Sequence, residues 1–161
     1  MSQPRPCSTR ILLALAPLAL ALQGCSLDPS GPADARGNLR AARAAWERQG
    51  IDSYRYVIHK SCGECLPESV APALVEVRDG STVSVVAATS ARQIRPEFYQ
   101  QYDTVEELFD LIAAAIEQDP YRFGARYDSR RGYPLEFSVD YDRDAVDDEA
   151  GFAVAQFEAV P

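Results

Sequence analysis

Hydrophobic and polar residues alternate along this chain with two different periods. After Val105, the apolar residues Leu108, Phe109, Ile112 and Ile116 recur at helical spacing and mark one buried face. Thr104 stands before the stripe and Glu107 three residues later, a capping box that satisfies free backbone N–H groups at a helix start. Asp119-Pro120 ends the run, because a residue before proline is pushed out of helical backbone. The pattern predicts a helix over Thr104 to Gln118. A second helix is predicted over Leu39 to Gln49, with Leu39, Ala42 and Trp46 on one face and Asn38 as its cap. Gly50 can take the left-handed position after it, and Ile51 can fold back on the last turn.

Elsewhere the period is two. Tyr54, Tyr56 and Ile58 alternate with Arg55, Val57 and His59, which predicts a strand. Ala73 to Arg78 and Thr82 to Ala88 predict two more, joined by Asp79-Gly80, a pair suited to a two-residue hairpin that needs positive φ twice. Tyr121, Phe123, Ala125 and Tyr127 alternate after the Thr104 helix; Leu135, Phe137 and Val139 come after a turn around Gly132; Phe152 to Phe157 closes the series. The order αβββαβββ predicts an α+β domain, two helices packed on an antiparallel sheet of about six strands, over residues 38–161.

The first 37 residues obey neither period. Arg5 and Arg10 precede an apolar run of twelve residues, Ile11 to Leu22. A bilayer-spanning helix needs about 20, so this run fits the core of a signal peptide. It ends in Leu22-Gln23-Gly24-Cys25, which resembles the bacterial lipobox: an aliphatic residue, a small residue, then the cysteine that is acylated as the peptide ahead of it is removed. Residues 1–24 are thus expected to be a lipoprotein signal peptide, with lipidation at Cys25. Several acyl chains, at about 0.8 kcal/mol per buried methylene, make a stable anchor. Ser26 to Gly37 is rich in Ser, Pro, Gly and Asp, so residues 25–37 are expected to be the lipidated cysteine and a flexible tether.

Several short segments together resemble a family of small bacterial lipoproteins of unknown function. They are Trp46, Ser53-Tyr54-Arg55-Tyr56, Cys62-Gly63-Glu64-Cys65, Asp79-Gly80, Thr104 to Asp110, Tyr127-Asp128, Gly132-Tyr133-Pro134 and Asp147-Asp148-Glu149. The resemblance spans nearly all of the domain and implies an extracytoplasmic address. It implies no activity.

Charge narrows the partners. The formal net charge is −8, and loss of Arg5 and Arg10 with the signal peptide takes it to −10. Phosphate backbones and anionic surfaces repel such a protein, which argues against nucleic acid. Lys60 is the sole lysine and has no glycine-rich loop beside it, which removes a phosphate-binding loop. With one histidine and no G-x-S-x-G elbow, the chain carries no recognisable hydrolase set, and no cofactor is expected.

Two constellations could carry chemistry. Cys62 and Cys65 remain once Cys7 leaves with the signal and Cys25 is acylated. In an oxidising compartment they are expected to form a local disulfide clip; the alternatives are a thiol–disulfide redox pair, or a zinc site completed by His59. The segment Asp140 to Glu149 holds six carboxylates in ten residues. Asp140, Asp142 and Asp144, with Asp148, have spacing that could begin a calcium loop, but Ala145 and Gly151 stand where such a loop needs Gly and Glu, so a solvated acidic loop is the competing reading. Tyr133 and Phe152, flanking this segment, are expected to be exposed and to offer a contact patch. The function these features favour is a non-catalytic, lipid-anchored envelope module. Its partners would be the membrane, through the acyl anchor, and an unknown envelope protein or ligand. In a Gram-negative cell it would sit at the outer membrane facing the periplasm.

Overall fold

The computed structural model describes residues 32–161. The expected export segment, Cys25 and the first part of the expected tether lie outside the described residues. Helix α1 spans Pro32–Glu47 and helix α2 Val105–Glu117. The strands are β1 (Tyr54–Cys62), β2 (Ala73–Arg78), β3 (Ser81–Ala87), β4 (Arg122–Tyr127), β5 (Pro134–Asp140) and β6 (Ala150–Ala159). The element order is the one the sequence predicts, with two short 3-10 turns added at Pro67–Ser69 and Pro96–Phe98.

All six strands form one antiparallel sheet in the order β3-β2-β1-β6-β5-β4. The last strand returns to the middle, between β1 and β5. This pairing holds the two αβββ halves together: β1 and β6 match from Tyr54↔Ala159 to Cys62↔Ala150. A bulge interrupts them opposite Arg55/Val57, where Gln156 takes a positive φ of 53°. The extra residue re-aims β6, so that Phe157 joins the helix-side face already lined by Phe152 and Val154.

Helix α1 starts well before its expected first residue, Leu39. Pro32 is tolerated at a helix start because the N–H it lacks would be unpaired there anyway. Gly37 costs about 1 kcal/mol inside a helix. The stripe Ala35–Leu39–Ala42–Trp46, all buried, offsets that cost and draws part of the expected tether into the fold. Asn38 is an exposed residue within the helix, not its cap.

The two helices run antiparallel, with Arg36 on Glu117, Arg43 on Asp110 and Trp46 on Glu106. They cover one face of the sheet. Tyr54, Tyr56, Ile58, Val75, Val77, Phe109, Leu108 and Ile112 are buried between the layers. Asp79 (φ 49°) and Gly80 (φ 71°) make the β2–β3 turn with positive φ at both positions, as their sequence requires. Thr104 caps α2 by accepting a bond from the Glu107 N–H at 3.2 Å.

Tyr133 and Phe152 are core residues, against expectation. Tyr133 stacks on Phe157 with ring centroids 4.3 Å apart, and Phe152 packs against Phe137 at 5.5 Å. Alternation on β6 puts Phe152 on the face that the helices cover. The contact patch expected at these two rings therefore does not exist.

Candidate functional site

The face of the sheet opposite the helices carries the candidate site. Much of it is charged and self-paired: Arg55 bonds Glu158 at 2.7 Å, Arg78 bonds Glu76 at 2.7 Å and Arg126 bonds Glu136 at 2.8 Å. Between these pairs lies a row of small residues, Gly124–Ser138–Gly151–Ser61, matched across four neighbouring strands. A Cβ on Gly151 would come 2.5 Å from the Phe137 carbonyl oxygen and 3.0 Å from Ser61 Oγ, so only glycine fits there. The row lowers the floor of the sheet.

At the end of the row an open cleft of about 470 Å³ forms. It is lined by Ser61, Phe123, Ser138, Val139 and Ala150, together with Arg122, Asp140 and Glu149. Cys62 and Gly63 form the wall beside β1. Gly63 is held by its N–H bond to the Glu149 carbonyl at 3.2 Å, and its missing side chain lets Asp147 pass over it. The cleft thus combines hydroxyls, one guanidinium and two carboxylates with the apolar side chains of Phe123, Val139 and Ala150. Such a surface can take a polar ligand that carries both signs of charge.

The cysteines behave as the simplest reading expects. Cys62 and Cys65 are joined, with Cα atoms 5.8 Å apart. Cys62 is the last residue of β1, and beyond Cys65 the chain enters only the three-residue turn Pro67–Ser69. No long helix starts at the pair to favour a thiolate. His59 and Cys62 are three positions apart on one strand, so they point to opposite faces. The zinc reading fails on that ground.

The acidic loop is held by its own carboxylates. Asp148 Oδ2 accepts a bond from the Asp142 N–H at 2.7 Å, and Asp142 Oδ1 accepts one from the Asp144 N–H at 3.0 Å. These carboxylates brace their own loop, while Asp140 turns to the cleft. Among the described residues no group of three or more His, Cys, Asp or Glu is placed to hold a metal ion.

The chain matches one family model. Residues 38–159 match the "Family of unknown function (DUF6174)". The chain belongs to the DUF6174 family. No curated protein and no solved structure matches it. Membership fixes the limits of the DUF6174 domain in this chain and leaves its activity open.

Three polar features of this DUF6174 domain were not foreseen. Glu106 accepts bonds from Trp46 Nε1 at 2.8 Å and Tyr54 Oη at 3.1 Å, while Tyr54 Oη itself accepts from the Val105 N–H at 2.9 Å. One carboxylate so joins α1, β1 and α2. Burial pushes the Tyr54 phenol well above its ordinary range. Lys60 lies on the helix-side face of β1, its ammonium 4.4 Å from the Tyr99 ring centre and 4.5 Å from that of Tyr102, donating to the Phe98 carbonyl. Burial lowers its pKa, and the contacts pin the segment between β3 and α2 onto the sheet. Alternation along β1 would have revealed this inward lysine. Glu107, in the first turn of α2, is pushed up to about 7 by burial and then by the neighbouring Asp103 carboxyl.

Proposed function

We propose that this protein is a lipid-anchored component of the bacterial cell envelope, and that its DUF6174 domain is a non-catalytic binding module. The anchor reading rests on Leu22-Gln23-Gly24-Cys25 after a short apolar run. The binding reading rests on the cleft bounded by Arg122, Ser138, Asp140 and Glu149. Rigid strands form its floor, a ring of charges its rim, and the disulfide and Gly63 hold its wall. These are the elements of a polar recognition site on a fixed scaffold.

Two measurements test the two halves. Cys25→Ala should abolish acyl labelling and move the protein out of the membrane fraction; unchanged fractionation would refute the anchor. A photo-cross-linking residue at Ser138 should capture a reproducible envelope component, while one at Arg48, an exposed position just beyond α1, should not. Identical capture from both positions would refute the cleft as the binding surface.

A second reading has one observation in its favour. Cys65 is exposed and Cys62 lines the cleft, so the disulfide is open to exchange with a thiol partner. Alkylation trapping in growing cells separates the two readings. A fully oxidised pair supports the clip, and a reduced fraction that responds to oxidant supports a redox role.

A further inference from the structure

The route of the chain into the domain sets the orientation of the domain on its membrane. Helix α1 begins at Pro32, and its Arg36 pairs with Glu117 at the last turn of α2. Helix α2 feeds β4 within a few residues, so the start of α1 lies at the end of the domain where β4 and β6 begin and β1 and β5 finish. The cleft, the disulfide and the acidic loop are at this same end.

This end also carries most of the large apolar side chains left exposed among the described residues. Val146 is 85% exposed, Leu66 59%, Tyr121 46% and Tyr141 36%. Tyr121 and Tyr141 are tied together by the Tyr121 N–H bond to the Tyr141 carbonyl. The guanidinium groups of Arg122 and Arg143 lie 5.1 and 6.0 Å from the Tyr121 ring centre. Arginines over tyrosine at an exposed apolar edge suit a headgroup layer, where phosphate meets the guanidinium and the ring sits at the boundary. The other exposed large apolar residue, Val83, is on β3 towards the opposite end.

We propose that this end of the domain rests on the lipid surface that holds the anchor, with Val146, Leu66, Tyr121 and Tyr141 entering the headgroup layer. The proposal rests on acylation of Cys25. Six residues separate Cys25 from Pro32, and even fully extended the seven Cα–Cα steps span only about 25 Å. Strand β1, of 9 residues, is about 30 Å long, so a domain standing on its opposite end would hold the start of α1 about 30 Å from the surface, beyond that reach. Asp142, Asp144, Asp147 and Glu149 share the contacting loop, so the surface that suits it is zwitterionic lipid and not anionic lipid.

The test uses the full acylated protein in phosphatidylcholine vesicles. Variants with one added cysteine, Val146→Cys and Val83→Cys, are labelled with an environment-sensitive dye under conditions that keep the Cys62–Cys65 bond, the unsubstituted protein serving as the labelling blank. Spin-labelled headgroups should quench the dye at position 146 several-fold more than at position 83. Flotation of both variants with equal quenching overturns the orientation and leaves the anchor standing. Failure to float overturns the anchor, and the orientation with it.

Discussion

Gly132 provides the sharpest test of how α1 is docked. It sits in the β4–β5 turn with φ +89°, directly beneath the helix. A Cβ there would run into the Ala42 carbonyl oxygen and come 2.9 Å from both Ala45 Cβ and Trp46 N. Two of these three atoms belong to helix backbone and cannot rotate away, so Gly132→Ala must lift α1. Trp46 would then lose its edge contacts with Tyr54 at 5.4 Å and Phe157 at 5.7 Å. The positive φ costs about 1 kcal/mol for alanine, and overpacking against fixed backbone costs about 2 more. The expected loss is therefore about 3 kcal/mol, or roughly 10 °C in melting temperature for a domain of this size. Gly50 is the matched control. Its φ is +59° and nothing lies within 4 Å of its missing Cβ, so Gly50→Ala should cost only the conformational term of about 1 kcal/mol. Urea unfolding of the protein beginning at Ser26, tracked by the emission of its one tryptophan, measures both. Gly132→Ala should also shift the folded-state emission, because Trp46 moves, whereas Gly50→Ala should not. Equal losses for the two variants, with unchanged emission, would refute the docking contact.

The polar network and the clip have consequences of their own. Glu106→Ala strands the Trp46 indole N–H and the Tyr54 hydroxyl, and should cost about 2 kcal/mol in chemical unfolding; a loss near zero would mean water replaces the carboxylate freely. Glu107 titrates near 7 in the folded chain against about 4.5 unfolded, so its contribution is complete below pH 4.5 and is lost as pH rises through 7. Glu107→Gln, which keeps the capping geometry, should flatten that fall in stability and leave the variant relatively better off at pH 8 than at pH 4; an unaltered pH profile would show that burial does not hold the proton on Glu107. Reducing the Cys62–Cys65 bond, or replacing both residues with alanine, should cost about 2 kcal/mol by the loop-entropy model and leave the sheet intact. Loss of β1–β6 pairing in hydrogen exchange would show that the clip does more than brace its own turn.

Most of the fold was legible because its signals are local. The Thr104–Glu107 cap, the Asp79-Gly80 turn and the alternation from Tyr54 to Ile58 each state their geometry within a few residues. The start of α1 was hidden because Pro32 and Gly37 resemble linker chemistry, and only packing of Ala35 under the sheet-side stripe reveals them as helix. Strand order was not legible at all. Nothing in Phe152–Phe157 specifies β1 as a neighbour; that pairing is chosen by the burial of Phe152, Val154 and Phe157 among rings from distant segments.

The same distinction explains the candidate site. Sequence spacing brought out Cys62, Cys65 and the acidic run, because clustered residue types are visible in one dimension. It could not show that Asp142 Oδ1 and Asp148 Oδ2 each accept a backbone N–H of their own loop, since backbone donors leave no mark in composition. Nor could it assemble Gly124, Ser138, Gly151 and Ser61, four small residues on four strands that become one row only when β6 is inserted beside β1. The cleft is therefore a product of topology. A substitution that shifts the β1–β6 register by one residue would put Ser61 and Gly151 on opposite faces of the sheet and break the row, while leaving every local motif in the sequence unchanged.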